Sequence, residues 1–82
     1  MDRSEVFERV VKIITPHAKN QEALAKVGVE THILDDLDVN SARLVDVVLA
    51  FEDAFEIAIA DEEVDEVETI GQAVDLIVAK LG

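Results

Sequence analysis

No cysteine occurs in the 82 residues, which removes disulfides, thiolate metal sites and a cysteine nucleophile. Tryptophan and tyrosine are absent too, and the three aromatic residues are all Phe. Cations are scarce: seven Lys and Arg stand against 19 Asp and Glu, for a formal net charge of −12. That balance repels the phosphate backbone and anionic bilayers, and so argues against nucleic-acid binding and membrane insertion. Long apolar runs are missing as well. The longest, Val47-Val48-Leu49-Ala50-Phe51, is far too short to span a bilayer. The opening Met1-Asp2-Arg3-Ser4-Glu5 is charged at once and offers no signal-type segment. The expectation is a soluble protein of cytoplasmic type.

What is present is apolar and periodic. Hydrophobic residues make up 50% of the chain, enough to order a single domain, residues 1–82, around a modest core. From Ser4 to Thr15 two interleaved sets, Phe7, Val11, Ile14 and Val6, Val10, Ile13, have helical spacing. Ser4 is the candidate cap, and the single proline, Pro16, ends or bends this helix. Residues 21–26 can form a short helix stopped by Gly28, followed by a long loop pinned by Ile33, Leu34 and Leu37. The clearest helix is Ser41 to Phe55, with Leu44, Val48, Phe51 and Phe55 on its apolar stripe and Asn40 as its cap. Glu56 to Ile59 reads as an extended link. A short helix from Glu62 to Val67, capped by Asp61, comes next. Thr69 and Gln72 have the form of a capping box opening a last helix, whose face is Ala73, Val74, Ile77 and Leu81. The fold class is therefore all-α: a small four-helix bundle, with three main helices and one short helix before the last.

The charge is unevenly placed. Residues 1–30 hold five acids and five bases, whereas residues 31–82 hold fourteen acids with only Arg43 and Lys80 to offset them. The whole excess therefore lies in the later part of the chain, as a surface for a basic partner or as a solvated face.

Catalytic constellations are nearly absent. The two histidines, His17 and His32, lie in polar, loop-like context and read as surface residues, and no nucleophile elbow or phosphate-binding glycine loop occurs. Asp36, Asp38 and Asn40 match the start of a calcium loop, but Ser41 stands where glycine is needed and Val47 where a bidentate Glu is needed. No metal site is therefore assigned.

The run Asp36-Leu37-Asp38-Val39-Asn40-Ser41-Ala42-Arg43-Leu44-Val45-Asp46 resembles the prosthetic-group site of acyl carrier proteins, D-L-G-x-D-S-L-x-x-V-E. The resemblance continues through Phe55, Glu56, Ile59, Asp61-Glu62-Glu63, Val64, Val67, Thr69-Ile70 and Ala73-Val74-Asp75, and covers at least residues 31–82. It implies that Ser41 bears 4′-phosphopantetheine, attached by a phosphopantetheinyl transferase from coenzyme A with Mg²⁺. The arm's thiol would carry acyl groups as thioesters to synthases and transferases with basic docking patches. The implied protein is a monomeric carrier, not an enzyme. Ala42, Arg43, Val45, Asp46, Leu49, Glu52, Asp53, Glu56 and Asp61 would form the docking surface. Val48, Phe51, Ile59, Val64 and Val67 would line a pocket for the acyl chain. Three positions depart from the pattern: Asn40 replaces an acid, Ala42 a leucine, and Arg43 an acidic or polar residue. They imply a specialised carrier with its own partners. An unmodified acidic adaptor, and an aminoacyl or peptidyl carrier, are the alternatives.

Overall fold

The computed structural model describes every residue, Met1–Gly82, in five α-helices and no strand. They are α1 (Arg3–Ile14), α2 (Gln21–Ala25), α3 (Ser41–Phe55), α4 (Asp61–Glu66) and α5 (Ile70–Leu81), with a 3₁₀ turn at Thr15–His17. The three long helices are those expected, and α4 is the short one before the last. The 21–26 segment is a second short helix.

Helix ends follow local chemistry, with some changes of actor. Asp2, not Ser4, caps α1: its Oδ1 accepts from the Glu5 N–H at 2.9 Å. A carboxylate there satisfies a free donor and also opposes the positive end of the helix dipole, which a serine hydroxyl cannot do. Pro16 ends α1 by tightening the chain into the 3₁₀ turn. Here His17 is partly buried and not a plain surface residue. Asn20 caps α2 through Ala23 N–H at 3.1 Å. Lys26 closes that helix without any left-handed residue, so Gly28 is not its stop. The expected box at α5 forms, with Gln72 N–H donating to Thr69 Oγ1 at 3.2 Å and Thr69 N–H to Gln72 Oε1 at 3.0 Å. Asp61 proves to be the first residue of α4, and Ala60 holds the cap position. Alanine has no side-chain acceptor, and the helix start is closed by Glu63 Oε1, which accepts from Ala60 N–H at 3.0 Å.

The core is wholly apolar, and no polar or charged side chain is buried. α1 gives Val6, Val10 and Ile14 and packs on α5 and α3. α5 gives Ile70, Ala73, Val74 and Ile77, whereas Leu81, expected on that face, is the last residue of the helix and 40% exposed. In α3 the buried residues are Val47, Phe51 and Phe55, and Leu44 and Val48 are only half-buried. The stripe is thus rotated toward Val47 relative to the sequence reading, and Leu44 and Val48 border a cavity. Burying one such side chain contributes roughly 1.5–3 kcal/mol.

The long loop is pinned by Ile33, Leu37 and Val39, all buried, but not by Leu34, which is 38% exposed. Asp36 and Leu37 N–H groups both turn back to His32 C=O, which sets Ile33 and Leu37 inward and Leu34 outward. Three backbone bonds of 2.9 Å then stitch this loop to the start of α5: Ile33 N–H to Glu68 C=O, Ile70 N–H to Thr31 C=O, and Gly71 N–H to Val29 C=O. The last requires glycine, since a Cβ at Gly71 would stand 2.8 Å from the Val29 carbonyl oxygen. Gly71→Ala should cost about 1–3 kcal/mol by overpacking and by loss of that bond, read as a lower midpoint in urea unfolding.

Lys80 at the end of α5 donates to Glu63 on α4 at 2.7 Å. That bond, followed by the one from Ala60 N–H, holds the Glu63 carboxyl below the ordinary glutamate range. A depressed folded pKa stabilises the fold above the unfolded value, and the contribution is lost as pH falls through the folded one. Glu63→Gln should therefore lower the Tm at pH 7. In a pH series of thermal melts, the gap to wild type should begin to shrink near 4.5 and close below the depressed Glu63 value.

Candidate functional site

Ser41 is the first residue of α3, and Asn40 is its cap as expected. Asn40 satisfies three of the early amides itself. Its Oδ1 accepts from Ala42 N–H at 2.9 Å, and its C=O accepts from Arg43 and Leu44 N–H at 2.8 and 3.0 Å. The Ser41 side chain is therefore not needed for capping and is exposed, with its own N–H left free. An anion on its oxygen would meet one free N–H and the positive helix end, not a row of open donors. Asp36 accepts from His32 N–H at 2.9 Å through Oδ2, and Asn40 is committed to the cap. Two of the three calcium-loop side chains are thus engaged with backbone, and no cluster of metal-ligating side chains occurs.

Ser41 borders an open groove of about 560 Å³ that runs between the long loop, α3 and α4. Leu34, Leu44, Val45, Val64 and Val67 line its apolar side, and His32, Asp35, Asp65 and Glu68 its polar side. Leu44, Val64 and Val67 also line a second, deeper cavity. All five residues expected in an acyl pocket, Val48, Phe51, Ile59, Val64 and Val67, line that cavity. Five others complete it that the sequence reading did not place there: Ile33, Leu44, Ala73, Leu76 and Ile77. Leu44 was legible from its place on the α3 stripe. Ile33 was legible as a loop anchor but not as a cavity wall, and Leu76 lay outside the face assigned to the last helix. Every lining side chain is apolar, and the open volume is only about 10 Å³, close to one water molecule. The walls must therefore part before anything larger enters.

On the outer face of α3, Val45 and Leu49 are 58% and 57% exposed. Ala42, Arg43, Asp46, Asp53 and the left-handed C-cap Glu56 are exposed around them, and Asp61 follows at the start of α4. Glu52 departs from this set: its Oε2 accepts from Ile59 N–H at 3.0 Å, holding the α3–α4 link against the helix. Glu56 turns the chain at φ 54°, and residues 57–59 then form an irregular link that Glu52 ties to the helix.

The family model described as the phosphopantetheine attachment site matches residues 6–77. The acyl carrier protein of Petrotoga mobilis is 38% identical over 81 residues, covering 99% of this chain and 93% of the relative. That of Phenylobacterium zucineum is 38% identical over 79 residues, with 96% and 98% covered. The chain belongs to the acyl carrier protein family. Solved structures agree with this. The acyl carrier protein from Enterococcus faecalis superposes with a TM-score of 0.80 at 39% identity, covering 98% of this carrier and 99% of that chain. The one from Thermotoga maritima gives 0.79 at 28% identity, with 99% and 92% covered. The carrier is not an enzyme. It bears 4′-phosphopantetheine, whose thiol holds acyl groups as thioesters, and its family serves a phosphopantetheinyl transferase and partner enzymes. No helix is long and apolar enough to cross a membrane.

The cap itself is testable. Asn40→Ala removes one side-chain acceptor from the first turn and should cost about 1 kcal/mol, measured by urea unfolding. Asn40→Asp keeps the acceptor and should hold or raise stability, because the added charge faces the positive end of the dipole.

Proposed function

We propose that Ser41 is the residue that carries 4′-phosphopantetheine, and that residues 1–82 act as one monomeric, cytoplasmic carrier domain for an aliphatic acyl chain. The single observation that carries the attachment is the Ser41 hydroxyl: exposed, relieved of capping by Asn40, and bordering the groove that shares walls with the apolar cavity. The cavity supports the cargo class. Its ten lining residues offer no polar partner, so an amino acyl or peptidyl group would lose its hydrogen bonds there. Each methylene buried in it would gain about 0.8 kcal/mol, which offsets the cost of parting the walls.

Docking falls to the exposed face of α3. Val45 and Leu49 supply apolar contact, and Asp46, Asp53, Glu56 and Asp61 supply attraction for basic patches on partner enzymes. Glu52 has a smaller part in this, being already engaged by Ile59.

Incubation with coenzyme A, Mg²⁺ and a broad-specificity phosphopantetheinyl transferase, followed by intact-mass spectrometry, tests the site. Wild type should gain one phosphopantetheine, and Ser41→Ala should gain none while keeping its helical circular dichroism. Addition that persists in Ser41→Ala moves the site elsewhere. No addition in wild type favours the unmodified adaptor.

A further inference from the structure

The two ends of the apolar cavity differ. Its mouth is marked by the residues it shares with the Ser41 groove, Leu44, Val64 and Val67. From Leu44 the lining continues along α3 through Val48 to Phe51 and stops there. Phe55 lies one turn further on the same stripe and is buried too, yet it is not part of the lining. α5 agrees with this direction. Glu68, just before it, borders the groove, and the helix then gives Ala73, Leu76 and Ile77 to the cavity. The cavity therefore leads away from the groove and ends at Phe51, the one aromatic side chain in its lining. Mouth and end also differ in freedom. Leu44, Val48, Val64 and Val67 are half-buried and have solvent beside them to give way into. Phe51 is only 3% exposed, and a ring held in a close-packed core has nowhere to swing.

We propose that Phe51 is a specificity determinant: it is the floor of the acyl cavity and limits the chain that the carrier shelters to about eight carbons. This limit rests on Ser41 as the attachment residue and on the cavity as the place of the chain. Phe51 lies seven residues after Leu44. That is about 10 Å along α3, from a rise of roughly 1.5 Å per residue. An extended alkyl chain advances about 1.3 Å per carbon, from a C–C bond of roughly 1.5 Å. An acyl group of about eight carbons, with its thioester at the mouth, therefore brings its methyl end against Phe51. Each methylene taken in raises the ratio of sheltered to exposed chain roughly fourfold. Beyond Phe51 there is no lining to receive more carbons. A longer chain leaves the remainder in the open groove and gains far less from it. Parting the half-buried side walls widens the space without lengthening it.

In the experiment a broad-specificity transferase loads the carrier from coenzyme A thioesters of straight-chain acids with four to twelve carbons. Urea unfolding of each acylated form is then followed by circular dichroism. A sheltered chain binds only the folded state and so stabilises it. In wild type the folded-to-unfolded ratio should rise roughly 15-fold for every two carbons up to about eight, then level off at ten and twelve. In Phe51→Leu, measured against its own unacylated form, the rise should continue to ten. Phe51→Met keeps the volume but is flexible; it should move the break the same way, and it replaces Phe51→Leu if that variant does not fold. Val48→Ala enlarges a side wall and should leave the break at eight. A rise that continues through twelve in wild type overturns the role of Phe51 and leaves the acyl cavity standing. So does a break that the Phe51 variants do not move, or that Val48→Ala moves as far. Equal stability at every chain length removes the cavity as the place of the chain, and failure of wild type to load removes the Ser41 reading. Either takes this proposal with it.

Discussion

Three backbone hydrogen bonds between the long loop and the start of α5 hold the architecture together. A helix start leaves amides without partners, and a loop of this length carries many more polar groups that must be satisfied. Here each solves the problem of the other. Ile70 and Gly71 N–H groups are taken by loop carbonyls, and Thr69 takes those of Gln72 and Ala73. In return the loop's Ile33 enters the core, donating its own N–H to Glu68. The missing side chain of Gly71 lets the two backbones come this close. Because the loop leads directly into Asn40 and Ser41, the same stitch sets where Ser41 stands.

From that frame the two faces of α3 acquire different tasks. Val47, Phe51 and Phe55 are spent on the core. Leu44 and Val48 are left half-buried over a nearly closed cavity, whose remaining walls come from the α3–α4 link, α4, α5 and the loop. Its lining side chains meet by apolar contact alone, so no side-chain hydrogen bond among them has to break for the walls to part. The polar fastenings are made by backbone and by side chains outside the lining. Glu52 holds Ile59 N–H, and Glu63 joins α4 to Lys80. α4 is thus a six-residue wall tethered at a few defined points.

The electrostatic layout follows the same division. The neutral first thirty residues build α1 and α2, and the acidic excess is carried by the elements around the groove and the outer face of α3. Self-repulsion among these acids costs stability, and the wholly apolar core offsets it.

Much of this was legible in the chain. The limits of α3, the Asn40 cap, the Thr69–Gln72 box and the exposure of Val45 and Leu49 follow from short-range pattern, because caps and periodicity act within a few residues, and the family was legible as a resemblance of residues 31–82. Other features could not be read there. Helical periodicity gives the angles between side chains but not the rotation of a helix against its neighbours, so the place of Val47 in the core was decided by the packing of the bundle. Leu34 reads as an anchor as well as Leu37 does until the His32 carbonyl turns the chain. Ser4 and Asp2 are both good caps by type; the helix starts at Arg3, earlier than read, where the Asp2 carboxylate also opposes the dipole. Gly71 had no signal in its own neighbourhood, since the need for it comes from Val29. The sequence determined the helices, the site motif and the charge. The tertiary structure decided which faces are buried, which acids are already engaged and where the cavity opens, because those depend on contacts between residues far apart in the chain.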